Sequence, residues 1–208
     1  MINPKMIKLT KKISECPLCQ SKLHKQFHKI AFQNEFLNYW QCQRCGIIFQ
    51  SPQMYEEEKQ DYYAYEYRLH MFRQAEPPKI DLEIQTKRAN HIVSLAQTQI
   101  KDLQGRTHLD IGSGSGALIR HFHDKCGTNS WGVEPDNSYR QYAQNQDLDV
   151  FASLEEWNDV LGLKADLITI SHVLEHLSDP VNFLNNLRCN ILDTSGYLLI
   201  EVPNLYFH

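Results

Sequence analysis

Four of the six cysteines stand in two C-x-x-C pairs, Cys16-Pro-Leu-Cys19 and Cys42-Gln-Arg-Cys45, with 22 residues between them. Each pair can close a tight turn whose backbone amides point at the sulfurs, and Gly46 eases the second turn. Two such turns brought together make a tetrahedral four-thiolate site, the geometry of structural zinc. A segment of about 40 residues buries too little apolar surface to hold itself, so a metal staple is the expected remedy. Short strands are expected between the pairs, packed by Phe32, Phe36, Tyr39 and Trp40. His24 and His28 are ligands by chemistry, but four thiolates already fill a zinc site. The competing reading is four metal-free core cysteines. The expectation is a zinc ribbon over residues 1–52, with Cys16, Cys19, Cys42 and Cys45 holding Zn2+ in a structural role.

A second chemical signal begins at Thr107. The run Thr107-His-Leu-Asp110-Ile111 reads as a strand, followed at once by Gly112-Ser-Gly114-Ser-Gly116 and then the helix-like ALIRHFHDK. Strand, glycine-rich turn and helix together form a nucleotide-type loop, because glycines let a ligand approach the backbone closely. The spacing is G-x-G-x-G rather than the G-x-G-x-x-G of dinucleotide enzymes. Ser130–Val133 reads as a second strand ending on Glu134, an acid placed to accept hydrogen bonds from two ribose hydroxyls. Further strands are expected at 149–151, 166–170 and 196–202, with helices at 136–146, 154–161 and 173–188. Alternating strands and helices predict an α/β, Rossmann-like parallel sheet with ligands at the C-terminal strand ends.

The motifs LDIGSGSG, WGVEPD, DLITISHVLEHLSDP and GYLLIEVPN, in this order, resemble class I S-adenosylmethionine-dependent methyltransferases. The C-x-x-C pairs ahead of them look like the zinc-ribbon subgroup, which includes sugar C-methyltransferases. The resemblance implies S-adenosyl-L-methionine as cofactor. It places Asp110, Gly112 and Gly114 at the methionine part, Glu134 at the ribose, and Ala152, Ser153 and Leu154 near adenine. Ser171 and His172 would flank the methionine–sulfonium side. A small-molecule acceptor is implied, such as a sugar, nucleotide-sugar or metabolite.

His172-Val-Leu-Glu175-His176 is open to several readings. H-x-x-E-H on a helix is a metalloprotease zinc motif, but here it follows a sheet strand in a nucleotide-binding layout. It is similar to the E-x-x-E-H of ubiquinone-biosynthesis and small-RNA methyltransferases, which bind a divalent ion, although His172 replaces the first acid. Glu175 and His176 can also simply cap and pack a helix that Asp179-Pro180 terminates. The last reading is His172 or His176 as a general base for an acceptor that carries a proton.

The elements that hold these residues divide the chain into three: 1–52, a helical connector at 53–104, and the cofactor domain at 105–208. The connector opens with a tyrosine-rich, highly charged stretch whose rings either line a pocket or form amphipathic surface. Ile80, Leu82, Ile84, Ile92, Leu95 and Ile100 then recur at roughly helical spacing. Cys126 and Cys189 read as helix–sheet core, and His121 and His123 as surface or helix-end residues. Residues 1–50 carry eight Lys/Arg against two Asp/Glu, so a +6 head sits on a body of −10 within a net charge of −4. That head keeps an RNA methyltransferase open as an alternative, although no Arg-rich stripe interleaved with aromatics accompanies it. No run approaches the ~18 apolar residues of a membrane span, and the paired cysteines suit a reducing cytoplasm. Class I methyltransferases add two strands beyond the fifth, for which the 208 residues leave no room. The apolar run Tyr197–Ile200 is then an expected open edge, where a partner chain or a second copy would pair. A fragment that binds cofactor or a partner without catalysis is a further alternative.

Overall fold

The computed structural model describes residues 9–32, 35–72, 74 and 76–203. The N-terminal part is an antiparallel three-stranded sheet, β1 (His24–Phe32), β2 (Glu35–Cys42) and β3 (Ile48–Gln50), in that order. Its small core holds Cys16, Cys42 and Phe49, with Ile13, Cys19, Trp40 and Ile47 against them. Phe36 is 54% exposed and does not serve as packing, while the side chain of Phe32 lies outside the described residues.

The chain then runs through helix α1 (Glu56–Asp61), a wider π-turn over Tyr62–Glu66, and α2 (Tyr67–Phe72). Helix α3 (Lys79–Gln99) follows. Its buried stripe differs from the expected one. Ala89, Ile92, Val93 and Ala96 face the core, while Ile80, Ile84 and Leu95 are 60%, 46% and 45% exposed. Small residues carry the contact because α3 packs closely on α4 (Ala117–Cys126).

The larger sheet comprises β4 (Thr107–Ile111), β5 (Asn129–Val133), β6 (Val150–Phe151), β7 (Ala165–Ser171) and β8 (Leu192–Glu201). All four pairings are parallel, in the order β6-β5-β4-β7-β8. This is the doubly wound α/β sheet expected. The alternation of β4 and β7 divides the core: Leu167 packs with α3 and α4, while Leu109, Ile111, Ile168 and Ile170 pack with Trp157 and Leu187 on the other face. Three helices on the sheet start on built caps. Asp136 accepts from Ser138 N and Tyr139 N to open α5 (Asn137–Gln144). Ser153 opens α6 (Leu154–Leu161), and Asp179 opens α7 (Pro180–Asn186), with proline in its first turn.

The expected helix over 173–188 is broken. Leu174–His176 is a single 3-10 turn, and α7 begins only at Pro180, passing into a π-turn at Leu187–Ile191. Cys189 is exposed rather than core, whereas Cys126 packs at the edge of the α3–α4 cluster. β8 pairs only with β7 among the described residues, and Tyr197, Leu198 and Ile200 are 43%, 36% and 39% exposed. No described helix is long and apolar enough to cross a membrane.

Candidate active site and thiolate cluster

The floor of the site is the turn after β4. Gly112 N and Ser113 N both donate to the Val133 carbonyl, which ties the turn to the end of β5. Gly114 N donates to Glu134 Oε2 at 2.7 Å, and Asp136 N to Glu134 Oε1 at 2.8 Å. Ser115 offers both its N–H and its hydroxyl to Gln85 Oε1 on α3. Positive φ at Gly112 (74°), Gly114 (55°) and Gly116 (79°) bends the loop, a conformation that L-residues resist. A Cβ at Gly112 would stand 2.2 Å from Val173, and one at Gly114 2.6 Å from Gln85.

Asp110 ends β4 beneath this loop, 3% exposed, and accepts from Thr169 Oγ1 at 2.6 Å. Behind it lies a relay whose His108 and Thr169 are fully buried. His108 meets Thr169 Oγ1 through Nε2 at 2.9 Å and Ser130 Oγ through Nδ1 at 3.1 Å. Because Thr169 gives its proton to Asp110, His108 Nε2 must donate to Thr169, which leaves Nδ1 to accept from Ser130. Burial pushes the imidazole down to about 3, so it stays neutral. Burial likewise pushes the Asp110 carboxyl up to about 7, against the Thr169 hydrogen bond. Glu134 is raised by burial too, opposed by Arg68 and by its two backbone donors.

The shift at Asp110 has a stability consequence. Between about pH 4 and pH 7 an unfolded chain has ionised this carboxyl while the folded chain still holds the proton. Folding therefore takes up a proton, and this group's contribution to stability falls as pH rises through that window. Asp110→Asn has no such proton. Its stability relative to the original protein should rise across the window by up to about 1.4 kcal/mol per pH unit. His108 shifts in the opposite sense but is present in both proteins, so it cancels in the difference. Denaturant midpoints of both proteins at a series of pH values check this; parallel profiles would refute it.

The far wall comes from the end of β7 and the turn after it. His172 has φ 56° and donates its backbone N–H to the Glu201 carbonyl at 3.0 Å. Its Nδ1 lies 3.5 Å from Glu175 and its Nε2 3.8 Å from Glu201. Ser171 Oγ donates to Glu201, and Arg88 of α3 stands 3.5 Å from the same carboxylate oxygen. His176 lies against the rings of Tyr63 and Tyr67, and burial lowers its pKa. Lys59 of α1 reaches across to donate to Ser178 Oγ at 2.6 Å and to the His176 carbonyl at 3.2 Å.

One cavity of about 1140 Å³ joins these parts. Asp110, Gly112 and Gly114 line its floor, with Glu134 beside them. Ala152, Ser153 and Leu154 border one end, and Ser171, His172 and His176 border the other. The tyrosine-rich connector forms a wall through Tyr63, Tyr65 and Tyr67. Sequence reasoning missed Arg68, Gln85, Arg88 and Glu201. No local motif marks them, since each joins the site through a contact between distant elements.

Cys16, Cys19, Cys42 and Cys45 bring their sulfurs within 4.8 Å of one another. Cys16 and Cys45 approach to 3.5 Å, and Cys19 and Cys42 to 3.6 Å. Backbone N–H groups, that of Cys45 foremost, lower the Cys42 thiol to about 6. Against the Ile47 N–H, burial and the three neighbouring sulfurs push Cys45 up to about 12, so the four sulfurs share their protons as a cluster. Among the described residues no other set of three or more such ligands converges this way. Glu175 Oε1 stands 3.5 Å from His172 Nδ1 and 3.9 Å from His176 Nε2, on a 3-10 turn rather than the helix that the metalloprotease reading requires. His24 instead packs edge-on against Trp40 and Phe49.

A family model described as a methyltransferase domain matches residues 70–208. The chain belongs to this methyltransferase family. The sheet order and the glycine loop agree with the Rossmann-like fold expected of it. Among curated proteins, none matches the chain. Similar solved structures include a putative methyltransferase in complex with the Haloferax volcanii Trm112 methyltransferase activator. It is 22% identical, with 58% of this chain and 55% of that one covered and a TM-score of 0.48. An S-adenosylmethionine-dependent methyltransferase from Archaeoglobus fulgidus is 26% identical, with 56% and 54% covered and a TM-score of 0.45. The magnesium protoporphyrin IX methyltransferase of Synechocystis, with bound S-adenosylmethionine, is 16% identical, with 65% and 71% covered and a TM-score of 0.49. The chain thus spans about half the length of the two archaeal structures.

Proposed function

We propose that this chain binds S-adenosylmethionine and transfers its methyl group to a small-molecule acceptor. The observation that carries this reading is the single cavity shared by the glycine loop, Glu134 and the His172–His176 turn. Its volume of about 1140 Å³ exceeds the roughly 300–1,000 Å³ usual for a single small molecule, which leaves room for cofactor and acceptor together. The lining supports a nucleoside with an extended arm as the occupant. The loop cannot accept a Cβ at Gly112, where Val173 stands in the way, and one at Gly114 would displace the end of the Gln85 side chain. Glu134 presents a buried carboxylate to a hydroxyl pair, and Ala152–Leu154 border the space for a base. The bound cofactor supplies a methyl carbon already activated by its sulfonium.

The chain's own work is then positioning and proton removal. His172 sits at the acceptor end with carboxylates on both sides of its ring, Glu175 and Glu201. In that setting it takes a proton from an O–H, N–H or acidic C–H acceptor, with His176 next in line against the tyrosines. The four cysteines hold Zn2+ as a structural staple beside this machinery.

Calorimetry with S-adenosylmethionine and S-adenosylhomocysteine tests the cofactor. Heat from both is expected, and none from either would sink the assignment. With an acceptor in hand, His172→Ala should lower turnover at saturating substrate across pH, and unchanged turnover would remove its role as base.

A further inference from the structure

The residues proposed for the cofactor lie on the sheet and its loops. Much of the cavity wall comes from elsewhere, with the π-turn and α2 on one side and α3 on the other. Both walls reach the same polar end. Tyr63 and Tyr67 pack against His176, and Arg88 stands by Glu201 next to His172.

Away from that end the walls turn apolar. One turn beyond Tyr67, Met71 lines the cavity and is 58% exposed. One turn before Arg88, Ile84 lines it from α3, and Ile80 continues the same helix face. Both isoleucines are exposed. The polar side chains of this stretch are turned to other partners. Asp81 accepts from Gln85 and from the Tyr139 hydroxyl, and Gln85 holds Ser115 of the glycine loop. Large apolar side chains left open along a cavity mark the chemistry of what covers them. Met71 and Ile84 offer no partner to the hydroxyls of a sugar. A hydrocarbon chain covers them at no polar cost.

We infer that the acceptor is an amphiphile, with its proton-bearing head at His172 and an apolar chain lying between α2 and α3. The inference rests on the methyl-transfer reading proposed above and narrows its acceptor. Ile80 to Arg88 spans about 12 Å along the helix axis, which sets the length of the apolar track. It also accounts for the isoleucines of α3, whose spacing suits a core stripe although the fold leaves them open. They are apolar because the substrate chain, and not the sheet, lies against them.

Para-alkylphenols carry both features, an acidic O–H and a chain of chosen length. With S-adenosylhomocysteine saturating, calorimetry on 4-ethylphenol, 4-butylphenol and 4-hexylphenol should show affinity rising about threefold or more per added methylene. The double variant Met71→Ser, Ile84→Ser should cut that rise below about twofold per methylene and leave affinity for S-adenosylhomocysteine within about twofold. Leu95→Ser, at an exposed position of α3 outside the cavity, should keep the full rise. An affinity independent of chain length overturns the inference. So does a rise that the double variant leaves intact, or one that Leu95→Ser flattens equally. Should the double variant fail to fold, the original protein still decides. A hydroxyl on the chain end of 4-hexylphenol should weaken binding at least about tenfold, and equal affinity overturns the inference. A flat series on a protein that binds S-adenosylhomocysteine removes the amphiphile alone. A protein that does not bind S-adenosylhomocysteine overturns the cofactor reading, and this inference with it.

Discussion

Gly112→Ala should abolish measurable cofactor binding and destabilise the sheet domain by about 2–4 kcal/mol. Two effects add. The backbone at Gly112 has φ 74°, and an L-residue held in that region costs about 1–2 kcal/mol. The new methyl would also stand 2.2 Å from Val173 Cγ2, a distance no pair of carbons tolerates. Val173 has to move, and it directly follows His172, whose own φ of 56° is held by the hydrogen bond to Glu201. The substitution therefore disturbs the floor and the far wall of the cavity together. Gly162→Ala provides the control. Gly162 closes α6 at φ 61°, but open space surrounds the position where its Cβ would be. That variant should lose only about 1 kcal/mol and bind S-adenosylhomocysteine as the original protein does. If the two variants bind the ligand equally well, the close approach of the loop to the post-β7 turn has no bearing on the site.

The same contrast explains what could be read from the sequence. The strand, glycine loop and helix of 107–126 were legible because each carries its own local signal: an apolar run, three glycines, an amphipathic repeat. The parallel sheet followed from strands alternating with helices, and the thiolate cluster from two short cysteine spacings. The turn after β7 was misread. Its pattern of apolar residues suits a helix, yet His172 adopts a left-handed conformation and Asp179 caps a new helix at Pro180. The signal Ser178-Asp179-Pro180 marked that start as well as a stop, and only the tertiary tie of His172 N to Glu201 decides between them. The buried stripe of α3 was misread for a related reason. Close packing on α4 selects Ala89 and Ala96, whose weak hydrophobicity the isoleucine pattern outweighed.

What remained invisible is the set of residues that joins elements. Arg68, Gln85 and Arg88 come from the helices before the sheet, and Glu201 from its last strand. Lys59 links α1 to Ser178 across 119 residues of chain. These contacts depend on how the connector lies over the strand ends, which no window of sequence encodes. The connector is therefore part of the cavity rather than a spacer, and its tyrosines face His176 as well as solvent.

Removal of metal from the thiolate cluster, by chelation or by Cys42→Ser, should unfold the N-terminal sheet and leave the five-stranded sheet folded. The buried apolar core of that small sheet amounts to Cys16, Cys42 and Phe49, far too little to offset the ordering of some 40 residues. A structural zinc contributes on the order of 10 kcal/mol or more, so its loss exceeds any plausible margin. The larger sheet has its own two-sided core around Leu109, Ile168 and Trp157 and does not draw on the cysteines. Tryptophan reports the two parts separately, with Trp40 in the small sheet and Trp131 and Trp157 in the large one. Chelation should expose Trp40 and open residues 9–52 to protease while the main thermal transition persists. The effect reaches the cavity through Gln53, which pairs with Lys11 and lies within hydrogen-bond range of Lys59. Once that contact loosens, the hold of Lys59 on Ser178 and His176 weakens, and affinity for S-adenosylhomocysteine should fall severalfold rather than vanish. Well under one zinc per freshly purified chain, together with a melting profile unchanged by chelator, would refute the metal staple.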